Sequence, residues 1–83
     1  MNIYVGNLDF KVDESELEGL FEEYGAVSSA KVIVDKFSGR SKGFGFITMD
    51  DQEAAETAIK ELNGTQFKDR EMVVNEARPK REF

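Results

Sequence analysis

Between Asp13 and Gly25 the apolar residues Leu17, Leu20, Phe21 and Tyr24 recur at i, i+3, i+4 and i+7, with Glu14, Glu16, Glu18, Glu22 and Glu23 around them. That spacing gathers the apolar side chains on one stripe of a helix and leaves the acids on the rest of its surface. Asp13 followed by Glu16 predicts a capping box at its start, and Gly25 a left-handed stop. Ala55, Ala58, Ile59 and Leu62 repeat the pattern, with Asp50 and Glu53 as a second capping box and Asn63-Gly64 as the stop. Four runs read instead as strands: "NIYVG" (2–6), "SAKVIVD" (29–35), "GFGFITM" (43–49) and "EMVVNEA" (71–77). "DKFSGRSK" (35–42) predicts a flexible hairpin loop, and "TQFKDR" (65–70) a turn before the last strand.

The order β-α-β-β-α-β, with right-handed helical crossovers, predicts an α+β fold of the ferredoxin-like type: a four-stranded antiparallel sheet with both helices on one face. Because side chains alternate along a strand, parity sorts the two faces. One collects Ile3, Val5, Ala30, Val32, Val34, Gly45, Ile47, Met49, Met72 and Val74; the other collects Asn2, Tyr4, Lys31, Ile33, Phe44, Phe46, Thr48, Val73 and Asn75. The aliphatic set matches the helix stripes, so the helices cover it and three aromatic rings are left in water. The reversed parity would put Val32, Ile47, Met49 and Val74 in solvent in exchange for two phenylalanines, a poor trade.

Composition narrows the chemistry. Eighty-three residues make one small domain, read as residues 1–78, followed by a short basic tail at 79–83. With no Cys and no His there is no disulfide framework, no thiolate or imidazole metal site, and no Cys- or His-based catalysis. No catalytic residue, metal or cofactor is expected. The segment "MNIYVGNLDF" has no charged run leading into an apolar one, and no stretch approaches the ~20 apolar residues of a membrane span, so a cytoplasmic, membrane-free monomer is expected. The net charge of −6 is unevenly spread. Residues 1–27 hold seven acids against one lysine, and 50–64 hold five against one; residues 28–49 hold Lys31, Lys36, Arg40 and Lys42 against Asp35 alone. The acids thus belong to the two helices, where they are read as solvated faces placed favourably in the first turns.

A platform of flat rings edged by cations suits unpaired nucleobases, whose faces stack on aromatics while lysines meet phosphates. "KGFGFITM" (42–49) resembles the octamer of the RNA recognition motif, K/R-G-F/Y-G/A-F-V-x-F/Y, and "IYVGNL" (3–8) resembles its hexamer partner. Ile47 stands for Val, and Met49 departs from the aromatic at the eighth place; parity puts Met49 in the core, so the departure touches packing. The likeness covers residues 2–78 and extends to small bacterial RNA-binding proteins with a single such domain.

The resemblance implies that Tyr4 and Phe44 each stack a base, that Phe46 packs against the sugars between them, and that Lys42 holds a phosphate. Asn7, Lys31, Asn75, Ala77 and Arg78 are implied as secondary contacts. Base preference is expected from Asn75, Ala77 and Arg78 and from the loop around Phe37, Ser38 and Arg40. The expected partner is single-stranded RNA, with single-stranded DNA left open, and an RNA-chaperone-like activity is compatible with a lone, weakly selective module. A protein-interaction module on the same fold is the alternative; that use commonly loses the stacking rings and carries an Arg-x-Phe loop, where this chain keeps the rings and reads "DREM". An acylphosphatase-like enzyme would need an anion-binding loop and arginine after the first strand, where "GNLDFK" stands. A phosphate-cradling G-x-G-x-x-G would need Gly at position 48, which is Thr48.

Overall fold

The computed structural model describes residues 1–77. In chain order these form β1 (Asn2–Gly6), α1 (Glu14–Glu22), β2 (Ser29–Val34), β3 (Ser41–Thr48), α2 (Gln52–Leu62), β4 (Gln66–Phe67), β5 (Arg70–Glu71) and β6 (Val73–Glu76). The main sheet runs β2-β3-β1-β6, with every neighbouring pair antiparallel. This is the predicted ferredoxin-like arrangement. It sets the two central strands, β3 and β1, side by side with Tyr4 opposite Phe46 and Val5 opposite Gly45.

The predicted helices form for the predicted reasons, with differences at their ends. Asp13 caps α1 in a full capping box: its carboxylate accepts from the Glu16 amide at 2.8 Å, and Glu16 accepts from the Asp13 amide at 3.2 Å. Val12 just before this cap and Leu17 four residues into the helix are both buried, a hydrophobic staple that fixes the entry of the chain. The second cap is Asp51 rather than Asp50. Its carboxylate accepts from the amides of Glu53 at 2.9 Å and Ala54 at 3.3 Å, so Glu53 stands one place too early to complete a box. Gly64, at φ 85°, provides the left-handed stop after α2. Gly25 is not left-handed and serves another purpose: a Cβ there would lie 2.6 Å from Cβ of Ala54. The end of α1 and the start of α2 touch at this point, and only glycine leaves room.

The helices cover the aliphatic sheet face, as parity requires. Ile3, Val5, Val32, Ile47, Met49, Met72 and Val74 are buried against Leu17, Phe21, Ala55, Ala58 and Leu62, with Leu8 and Val12 closing the end of the core. Gly45 faces the same way: a Cβ there would strike the Lys31 carbonyl and lie 3.3 Å from Leu17 Cδ2. Each large aliphatic side chain buried here contributes about 1.5–3 kcal/mol. Val34 departs from its expected place. The β2–β3 register shifts between Val32 and Val34, and Val34 is left 50% exposed. One residue of β2, Ile33, stands opposite three on β3, residues 42–44, and at this irregular end of the pairing Val34 lies beyond the buried core.

The last expected strand, 71–77, is interrupted at Met72, and the turn expected before it at 65–70 is itself part of a small hairpin. Gln66–Phe67 and Arg70–Glu71 pair as a small hairpin whose turn residues, Lys68 (φ 52°) and Asp69 (φ 71°), are both left-handed, and the main sheet resumes only at Val73. Lys68 reaches Glu16 of α1 at 2.9 Å, and that carboxylate holds its ammonium above the usual lysine range. The outer edges of the sheet are also bonded. The Val32 amide on β2 donates to Glu14 Oε2 at 3.1 Å, and the Val74 amide on β6 donates to Asn63 Oδ1 at 3.0 Å.

Candidate nucleic-acid interface

On the sheet face opposite the helices, register places side chains in rows across the strands. Lys31 is opposite Phe46, Phe46 opposite Tyr4, and Tyr4 opposite Asn75, so these four span β2, β3, β1 and β6. Phe44 stands two residues before Phe46 on the same face. The three rings form a cluster. Centroids are 6.0 Å apart for Tyr4 and Phe44, 5.8 Å for Tyr4 and Phe46, and 6.1 Å for Phe44 and Phe46. Tyr4 and Phe44 tilt by 33°, while Phe46 stands edge-on to both. Such packing fixes the rings against one another before any ligand arrives.

The glycines of the two motifs shape this surface. A Cβ at Gly6 would lie 2.7 Å from Cε2 and 2.8 Å from Cζ of Tyr4, so the tyrosine ring lies over the glycine backbone. Gly43, at φ 86°, brings the start of β3 close to the β1–α1 loop, where its carbonyl accepts from the Leu8 amide at 2.8 Å. Phe46 is 37% exposed, and Tyr4 and Phe44 are half-buried, as rings shielding one another on an open face should be.

The remaining predicted positions fall into three groups. Lys31, Lys42 and Asn75 are exposed beside the rings or at the mouth of β3. Ala77, whose amide donates to the Asn2 carbonyl at 2.8 Å, carries the chain off the platform at its far end, where Thr48 Oγ1 donates to Asn2 Oδ1 at 2.9 Å. Arg78 and the tail lie outside the described residues.

Arg40 is exposed on the β2–β3 loop, which Asp35 organises: its carboxylate accepts from the amides of Phe37 at 2.7 Å and Ser38 at 3.2 Å, while its own amide donates to the Arg40 carbonyl. Those two amides, aided by Lys42, hold the Asp35 carboxyl below the usual range. Phe37 at the loop tip is fully exposed. Asn7 is committed elsewhere. At φ 55°, it donates to the Glu71 carbonyl at 2.6 Å and accepts from Arg70 at 3.1 Å, tying β1 to the small hairpin.

One exposed aromatic was not singled out from the sequence. Phe10 lies between β1 and α1, 61% exposed, with the Arg70 guanidinium 5.4 Å from its ring centre. The available signal was its place outside both the period-2 and the helical stripe. Among the described residues no group of three or more His, Cys, Asp or Glu is gathered to hold a metal.

With the sheet order, the ring cluster and both glycine-bearing motifs in place, the chain belongs to the RNA recognition motif family, whose model matches residues 3–73. It is 48% identical over 84 residues to the chloroplast RNA-binding protein CP29B of Arabidopsis thaliana, covering 98% of this chain and 29% of that protein. The chain spans about a third or less of the length of the chloroplast proteins it matches first. It is 42% identical over 82 residues to the protein RbpE of Nostoc sp., covering 99% of this chain and 83% of that one. The crystal structure of RNA-binding protein PG1 superposes with a TM-score of 0.93 at 51% identity, covering 99% of each chain.

Proposed function

We propose that this chain binds single-stranded RNA on the uncovered sheet face, with bases stacked on Tyr4 and Phe44, a sugar packed on Phe46, and phosphates met by Lys42 and Lys31. The observation that carries this reading is the cluster of three rings, 5.8 to 6.1 Å apart, on the side of the sheet away from both helices. Base–aromatic stacking contributes about 1–3 kcal/mol per base and needs an unpaired base. The names of CP29B and PG1, both RNA-binding, support the same reading.

Stacking tolerates any base, so selectivity is weak and comes from hydrogen bonds at the margins, from Asn75, Ala77 and Arg78. A site that favours unpaired over paired strands shifts weak hairpins toward their open form, which is the basis for an RNA-chaperone-like role. The test is a titration of short labelled RNA followed by NMR. Shifts are expected at Tyr4, Lys31, Lys42, Phe44 and Phe46; shifts clustered on α1 and α2 instead would make the chain a protein-interaction module.

A further inference from the structure

We propose that the Tyr4 hydroxyl, laid over Gly6 by the recline of its ring, hydrogen-bonds a ribose 2′-hydroxyl where the strand passes from Tyr4 to Phe44. It thereby makes the platform favour RNA over single-stranded DNA. This rests on the sheet face being the binding surface and assigns the choice between the two nucleic acids to one group on it.

Gly6 is buried and its φ is not left-handed, so the backbone there does not require glycine. The ring above it does. A Cβ at position 6 would lie 2.7 Å from Cε2 and 2.8 Å from Cζ of Tyr4, and closer still to the hydroxyl oxygen. Tyr4 and Gly6 share a face of β1, so the tyrosine lies along its own strand with its hydroxyl end over the glycine. Any side chain at position 6 would lift it.

Register sets what surrounds that hydroxyl. Val5 stands opposite Gly45, which brings Gly6 beside Phe44 on β3, and on its other side Gly6 pairs with Val73 of β6, 42% exposed. Phe44, Gly6 and Val73 bring no polar side chain to this row. The Tyr4 hydroxyl is the hydrogen-bonding group that reaches it. Among the described residues no buried side-chain oxygen lacks a partner, and the Tyr4 hydroxyl, bonded to none of them, is therefore open to solvent. It loses no internal bond when it meets a ligand.

The rings of Tyr4 and Phe44 are 6.0 Å apart and tilted by 33°, so a strand whose bases sit on both carries its backbone past the hydroxyl. A phenol hydroxyl both donates and accepts. The ribose 2′-hydroxyl does the same, and deoxyribose has no such group, which is the chemical difference open to a protein that chooses RNA.

The test is a cycle of two changes, Tyr4→Phe in the protein and single 2′-deoxy substitutions along an unstructured oligoribonucleotide of about four nucleotides. Tyr4→Phe keeps the stacking ring and, since the lost hydroxyl lies in water, should keep the parent's melting temperature. The parent should bind RNA more tightly than DNA of the same bases. One 2′-deoxy position should weaken it roughly two- to tenfold in Kd, as the loss of one net hydrogen bond does. Tyr4→Phe should show the same loss on the all-ribose strand and be indifferent to that deoxy position. Gly6→Ala, which displaces the hydroxyl without removing it, should also narrow the preference for RNA. Equal affinity of the parent for RNA and DNA overturns the proposal, as does equal affinity of Tyr4→Phe and the parent for RNA. An equal loss by Tyr4→Phe on RNA and DNA overturns it too, since the hydroxyl would then meet a phosphate or a base. If the parent binds neither strand, the sheet-face reading fails first and the proposal falls with it.

Discussion

At the scale of single residues, the proposed platform should separate binding from stability. Tyr4 and Phe44 face away from the helices, so alanine at either position should weaken binding of single-stranded RNA by about 1–3 kcal/mol, roughly five- to 150-fold, with the thermal midpoint little changed. Isotherms and melting curves on the same samples check this, and an unfolded variant would count against the assigned faces. Gly45 is the converse case. Its alanine variant must displace the Lys31 carbonyl and crowd Leu17, so a loss of about 1–3 kcal/mol in urea unfolding is expected although no contact atom is removed. The three rings were legible because alternation on a strand is rigid and both motifs lie in regular stretches. The hydrogen bonds of Asn7 were not: a lone amide after a strand shows nothing of the hairpin sixty-odd residues later to which it is bonded. Gly25 was misread for a related reason, because its neighbour Ala54 comes from another helix.

At the scale of elements, helix periodicity identified both helices, and their ends were harder. Asp50 and Asp51 are adjacent candidates of one type, and only backbone direction decides between them. Asp51→Ala should destabilise by about 1 kcal/mol, and Asp50→Ala by no more than about 0.5 kcal/mol, in parallel denaturant titrations. The bulge that exposes Val34 and the two-residue strands of the hairpin fall below the window in which alternation can be recognised. The β2–β3 loop, expected to be flexible from its composition, is tied together by Asp35. Its carboxyl is held below its ordinary value, so the loop's bonds to the Phe37 and Ser38 amides contribute fully above that ordinary value and are lost as pH falls through the lowered one. Amide shifts of Phe37 and Ser38 should therefore titrate with a midpoint below that of an ordinary aspartate. A midpoint at the ordinary value would show that the loop is not organised this way.

At the scale of the whole molecule, a net charge of −6 and the proposed nucleic-acid ligand are reconciled by position, since ten of the 17 acids lie on the two helices and their capping residues. Binding should then be only gently salt-dependent, with a slope of about −0.7 per neutralised phosphate and roughly two or three phosphates engaged, and duplex DNA should bind poorly. Affinity measured over a range of salt checks this; a slope typical of strongly basic duplex binders would mean that charge, not stacking, dominates. The hydrogen bonds that Glu14 and Asn63 make to the outermost strands carry a different consequence. An open sheet leaves two rows of amides and carbonyls able to recruit strands from other molecules, and here one side chain on each margin occupies an amide that faces outward. On β2 that amide sits beside the half-exposed Val34, the kind of apolar edge on which strand-to-strand aggregation begins. Glu14→Ala combined with Asn63→Ala should therefore raise light scattering with time and concentration above the parent's while the monomeric fraction keeps its circular dichroism. The carboxylate of Glu14, one of many acids on its helix, would then owe its place to keeping copies of this protein from pairing with one another.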